Sequence, residues 1–162
     1  MGETNSDINK KVRLALKYKI TPVLCVGERE RDHHGLYLSR IKTDLEEALA
    51  QVPKNILKNV VIAYEPIWAI GEHAQAPATP AESLEMALFI RKVLADFIHE
   101  REARVIRILY GGSVTAENAV EFLKQGGVQG LLVGRESLDA KKFASICMSA
   151  ETIHNETKAS II

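Results

Sequence analysis

Excess charge of either sign is missing from this chain. Its 162 residues carry 21 basic and 21 acidic side chains, so the formal net charge is zero. That balance argues against nucleic acid or a membrane surface as partner. Long apolar runs are missing too: none approaches the ~18 residues that a membrane helix needs. The first ten residues are polar and contain no apolar core of a signal peptide. Cysteine is scarce. Cys25 and Cys147 stand 122 positions apart, without ligand or redox spacing, and read as buried thiols in a reducing cytoplasm. The five histidines (His33, His34, His73, His99 and His154) form no metal-type cluster, so neither a metal nor another cofactor is expected.

What the chain does have is apolar content, at 46%, enough for the core of one domain. Four short runs, Pro22–Val26, Val60–Tyr64, Val105–Tyr110 and Leu131–Val133, are continuous in apolar character apart from Arg107. Strands of a parallel sheet, buried on both faces, read this way.

Helical patterns separate them. Ile8, Val12, Ala15 and Leu16 follow a helical period behind a cap at Thr4. Ile41, Leu45 and Leu49 repeat four apart. Thr79-Pro80-Ala81-Glu82 combines a capping threonine, a proline at the first helical position and a glutamate that reaches back. Thr115 opens a shorter helix carrying Val120 and Leu123, and Lys141–Met148 forms the last. The charged stretch Gly27–Gly35 reads as a solvated loop. The order α-β-α-β-α-β-α-β-α predicts an α/β fold with four parallel strands. An open sheet and part of a closed barrel both fit it.

Working residues of parallel α/β folds lie at the carboxyl ends of strands. Glu65-Pro66 follows the second run directly, and Ile67, Trp68 and Ile70 lead into a loop rich in small residues. A carboxylate under a closing loop would lose water and gain basicity; a salt-bridge carboxylate beside an ordinary loop fits the same residues. Gly111-Gly112-Ser113 ends the third run, where free amides and a hydroxyl suit a phosphate or form a plain turn. Gly134-Arg135 ends the fourth, beside Leu132. Two successive strand ends containing glycine match the phosphate site found after the last two strands of a barrel.

The stretches GETNSDINKKV, PVLCVGE, AYEPIWAIG, ATPAESLE, YGGSVTAEN and GLLVGRESL, in this order, resemble the triosephosphate isomerase family over residues 2 to about 147. The resemblance implies that residues 1–150 form the C-terminal half of a (β/α)8 TIM barrel, strands five to eight, followed by a polar tail over 151–162. It implies aldose–ketose isomerisation of a small sugar phosphate, glyceraldehyde 3-phosphate and dihydroxyacetone phosphate, as in glycolysis and gluconeogenesis. Glu65 would be the base, working through an enediolate. Pro66, Ile67 and Trp68 would hinge the loop. Gly71, Ser113 and Gly134 would hold the phosphate, with Arg135 at its rim. Ile70 and Leu132 would clamp Glu65. A homodimer is implied for the full-length form.

The family's lysine and histidine electrophiles have no counterpart here, so the chain alone is expected to be inactive. Three departures stand out. The loop from Gly71 to Thr79 is about two residues longer, Arg135 replaces a glycine, and Gln129 replaces an aspartate expected to pair with Arg91, a change that should weaken that seam. The first two leave open an isomerase-like relative acting on a tetrulose phosphate. The missing electrophiles leave open a non-catalytic half-barrel.

Overall fold

The computed structural model describes residues 2–71, 74 and 76–159, with side chains through Glu156. Positions 72, 73 and 75, which carry the longer loop tip and His73, lie outside the described residues.

Thr4 opens the first helix, α1 (Asn5–Lys17), through a reciprocal capping box with Asp7. Strand β1 (Val23–Val26) follows, then α2 (Leu36–Leu49), a single turn α3 (Lys54–Leu57), and β2 (Val61–Tyr64). Helix α4 (Pro80–Phe97) begins as its sequence directs. Thr79 Oγ1 accepts from the Glu82 amide, Glu82 returns a carboxylate oxygen to the Thr79 amide at 2.7 Å, and Pro80 takes the first position. Caps of this kind stabilise a helix by about 0.5–2 kcal/mol each. A one-turn α5 (Glu100–Ala103), β3 (Arg107–Tyr110), α6 (Ala119–Gln125) and α7 (Ala140–Ala159) complete the order. Helix α7 runs well past Met148, so the polar end of the chain continues the helix through Ala159.

The three strands form one parallel sheet in the order β1-β2-β3, with Val23, Val61 and Arg107 in register at one end and Val26, Tyr64 and Tyr110 at the other. The expected fourth strand is reduced to a single bridge between Tyr110 and Leu131. Bonds from the Gln129 amide to the Ile108 carbonyl, from the Tyr110 amide to the Gly130 carbonyl and from the Leu132 amide to the Tyr110 carbonyl carry this run along β3. It turns away at Gly134, before a regular ladder can form.

Burial on both faces holds for β2 alone, which is buried at all four positions. Strand β1 alternates exposed and buried, and Val23 is 47% exposed. Arg107 of β3 is exposed as well. Strand β2 is the central one of the three.

Both cysteines are exposed, against the expectation of buried thiols. Cys25 takes an outward position of β1, and Cys147 lies on α7. The core is closed by helix faces, with Ile41 and Leu45 from α2 and Met86, Ile90 and Leu94 from α4 fully buried. Gln129 does not loosen its seam. Its Oε1 accepts from Arg91 at 3.1 Å and from the Ile108 amide at 3.0 Å, while Arg91 also bonds the Ala103 and Ile106 carbonyls. A neutral amide takes over the bonding of the expected aspartate, without its charge.

Candidate active site

The parallel register brings the carboxyl ends of β1, β2 and β3 side by side, and Glu65 leaves the sheet there. Its amide donates to the Val26 carbonyl at 2.8 Å, and the Gly111 amide donates to Tyr64 at 2.8 Å, so the three strand ends are tied together. The fit is tight on both sides. A Cβ on Gly27 would lie 1.6 Å from the Glu65 carbonyl oxygen, and one on Gly111 would lie 2.7 Å from Glu65 Cγ. Glycine at these two positions is therefore a condition for the placement of Glu65.

A cleft of about 400 Å³ opens beside it. Glu65, Ile70, Gly71, Gly111–Thr115 and Leu132–Glu136 line this space. Seven of the residues read from the sequence, Glu65, Ile70, Gly71, Ser113, Leu132, Gly134 and Arg135, thus share one cavity. The amides of Gly71, Ser113 and Gly134 meet no acceptor among the described residues. Glu65, Ile70 and Leu132 are half-buried, so a carboxylate and two apolar side chains are among the groups that line the cleft.

Pro66, Ile67 and Trp68 stand apart from this cleft. Pro66 is buried and precedes a 3-10 turn, Ile67–Ala69. Ile67 is 49% exposed and faces the neighbouring surface near Gly27. Ser113 fastens this turn to the end of β3 by donating its hydroxyl to the Ala69 carbonyl at 2.9 Å. The Ser113 hydroxyl is therefore engaged in structure.

The support beneath the turn comes from the charged stretch after β1. Gly27–Gly35 is not simply a solvated loop, because Glu28 is 3% exposed. Glu28 Oε1 accepts from the Tyr64 hydroxyl at 2.8 Å, from Trp68 Nε1 at 2.8 Å and from Arg31 Nε at 3.0 Å. Its other oxygen has no partner among the described residues. Arg31 also reaches Glu85 of α4 at 2.9 Å and lies over the Tyr37 and Trp68 rings. Burial, followed by the Glu28 charge, pushes the Tyr64 hydroxyl far above the ordinary tyrosine range. Charge density in Gly27–Gly35 masked this pair, since nothing in GERERDHHG marks Glu28 as the residue facing inward.

Two further groups border the site. The Cys25 thiol lies beside the Glu65 carboxylate, half enclosed although the residue is exposed; burial first, then that carboxylate, push it up to about 12. The Tyr110 hydroxyl is buried without a partner among the described residues, its ring stacked on Phe122 at 3.8 Å. Burial and the charge of Glu82 raise it to about 12. No three His, Cys, Asp or Glu side chains group as metal ligands among the described residues. Among the same residues, no helix is long and apolar enough to cross a membrane.

Comparison with known proteins gives a consistent picture. The family model described as triosephosphate isomerase matches residues 1–150. A protein of Dehalococcoides mccartyi named triosephosphate isomerase is 42% identical over 153 residues, covering 94% of this chain and 59% of that protein. Relatives of the same name from Natranaerobius thermophilus and Aquifex aeolicus are 41% and 42% identical, covering 90% and 91% of this chain and 56% and 59% of their own lengths. The chain thus spans rather less than two thirds of the relatives it matches.

Proposed function

The chain belongs to the triosephosphate isomerase family, and we propose that it carries the catalytic base and phosphate cradle for interconverting glyceraldehyde 3-phosphate and dihydroxyacetone phosphate. The observation that supports this reading is the cleft that Glu65 shares with Gly71, Ser113 and Gly134, whose amides meet no acceptor among the described residues.

The chemistry follows from that arrangement. The phosphate accepts from the three amides, with Arg135 at its rim, and the substrate's carbon chain extends toward Glu65. The carboxylate takes a proton from the carbon next to the carbonyl. The electrons of that C–H bond form the enediolate double bond as the carbonyl π pair moves onto its oxygen; Glu65 then returns the proton to the former carbonyl carbon, and the hydroxyl proton passes from the oxygen that becomes the new carbonyl to the former carbonyl oxygen. Ile70 and Leu132 flank the carboxylate and limit its contact with water. Developing negative charge on the substrate oxygen needs preorganised donors, each contributing ~10²–10³ in rate. The family's histidine and lysine for this task belong to the part of the relatives without a counterpart here. A homodimer is the assembly proposed for the full-length form.

A chimera tests the assignment directly. Residues 2–150 are joined to the segment of the Dehalococcoides mccartyi relative that has no counterpart here, and turnover is followed by a coupled assay. The chimera is expected to isomerise glyceraldehyde 3-phosphate, and Glu65→Gln in it should lower kcat by at least ~100-fold. Near-equal turnover of the two would remove Glu65 from the mechanism.

A further inference from the structure

Helix α1 and the connection from α2 to α3 enclose a second concavity, a groove of about 450 Å³ that shares no lining residue with the cleft beside Glu65. Three of the described residues lining it are cations, Lys10, Arg13 and Lys17, and none is a carboxylate. Leu14 stands among them and is 56% exposed. Positions 10, 13, 14 and 17 follow the i, i+3, i+4, i+7 spacing of one helix face, beside the Val12 and Leu16 stripe that enters the core. Leu16 and Val52, both buried, complete the apolar lining with Pro53 and the half-buried Ile56. The cations are little engaged in internal pairs. Lys10 lies 3.7 Å from Asp7, a contact between two exposed side chains that contributes little. Arg13 donates to the Gln51 amide oxygen at 3.1 Å, and Lys17 lies over the Tyr18 ring. Neither meets a carboxylate among the described residues. Gln51 has a φ of 60°, a left-handed conformation that glycine adopts more easily. Its neutral side chain holds Arg13 between the two elements and leaves the charge uncompensated.

An apolar groove whose only charges are positive complements a ligand of the opposite kind, with apolar side chains facing in and carboxylates beside them. Charge by itself would suit any polyanion. The concave apolar part decides among them, because a phosphate backbone has nothing to fill it and a flat lipid surface does not reach into it. We infer that this groove docks a short acidic, amphipathic segment of a partner protein. Leucine or phenylalanine side chains at helical spacing enter between α1 and the α2–α3 connection, and glutamates next to them pair with Lys10, Arg13 and Lys17. The volume admits a few anchoring side chains, so the segment is short. Docking here is independent of the isomerase reading, since none of these residues lines the cleft beside Glu65.

The test uses the 162-residue chain and a fluorescein-labelled peptide, Glu-Leu-Leu-Glu-Glu-Phe-Leu-Glu, with blocked termini. Binding is followed by fluorescence anisotropy, and Trp68 emission confirms that each variant is folded. Saturable binding is expected, with NMR shifts at the Leu14, Val52 and Ile56 amides. Arg13→Glu combined with Lys17→Glu turns attraction into repulsion and should weaken binding by about tenfold or more. Leu14→Ser, at an exposed position, should weaken it severalfold by removing apolar lining alone. Lys92→Glu combined with Arg101→Glu makes the same change of net charge outside the groove and should leave binding intact. Equal weakening by the two double variants would overturn the inference in favour of overall charge. So would a peptide with glutamine in place of glutamate that binds as tightly, or Leu14→Ser without effect. Absence of saturable binding to the unaltered chain would overturn it outright. Self-association abolished by Arg13→Glu with Lys17→Glu, which the peptide fails to displace, would assign the groove to a second copy instead. Binding to phosphatidylserine vesicles lost in that variant, and again not displaced by the peptide, would assign it to lipid.

Discussion

Replacing Glu28 probes the support beneath the candidate active site without touching the cleft. The carboxylate is 3% exposed and its Oε1 holds three donors, from Tyr64, Trp68 and Arg31. Glu28→Ala leaves a buried tyrosine hydroxyl, an indole N–H and a partly buried guanidinium short of an acceptor. Breaking a buried charge pair from one side costs about 3–5 kcal/mol. Domains of this kind have about 5–15 kcal/mol in all, so the variant should remain folded but with a narrow margin. With a urea m-value of about 2 kcal/mol/M, a loss of about 4 kcal/mol moves the midpoint by about 2 M. The assay has a built-in probe, since Trp68 is the only tryptophan, and its native emission should shift once the bond to Glu28 is gone. Glu28→Gln keeps an acceptor oxygen and the volume, and is expected to cost about 1–3 kcal/mol. A double-mutant cycle isolates the contact: Tyr64→Phe should cost about 1 kcal/mol alone and almost nothing beside Glu28→Ala. A midpoint shift below 0.5 M in Glu28→Ala, or full additivity in the cycle, would refute the reasoning.

Two smaller perturbations address the neighbours of Glu65. The Cys25 thiol is held up to about 12, so at pH 8 it should alkylate at least tenfold more slowly than the exposed Cys147, and Glu65→Gln should speed it; equal rates at both cysteines would contradict this. Since the unfolded thiol ionises near 9, its folded-state contribution is fully present below pH 9 and is lost as pH rises toward 12, which alkaline urea titrations of Cys25→Ser against the unaltered chain should reveal. Gly27→Ala sets a Cβ 1.6 Å from the Glu65 carbonyl oxygen and should cost about 1–3 kcal/mol or more through forced backbone movement; thermal unfolding measures this, and an unchanged midpoint would mean that the strand ends are looser than described.

Much of the molecule is legible along the chain because its causes are local. Thr4 with Asp7 and Thr79 with Glu82 cap helices across three residues, and both capping boxes form. Three apolar runs became strands in parallel register, and glycines at strand ends gathered around Glu65 in one cleft. Other features are decided by contacts between distant positions. Glu28 meets Tyr64 and Trp68 across 36 and 40 residues, so the same charged stretch could equally have pointed to water. Whether a continuous apolar run is buried on two faces or one depends on what the fold packs against each face, and this differs between β2 and β1. Gln129 could be judged a loss from its charge, yet three-dimensional placement lets its amide oxygen serve both Arg91 and Ile108. Residue type and local spacing fix which groups are available, while burial and hydrogen bonding depend on what the fold brings within a few ångströms.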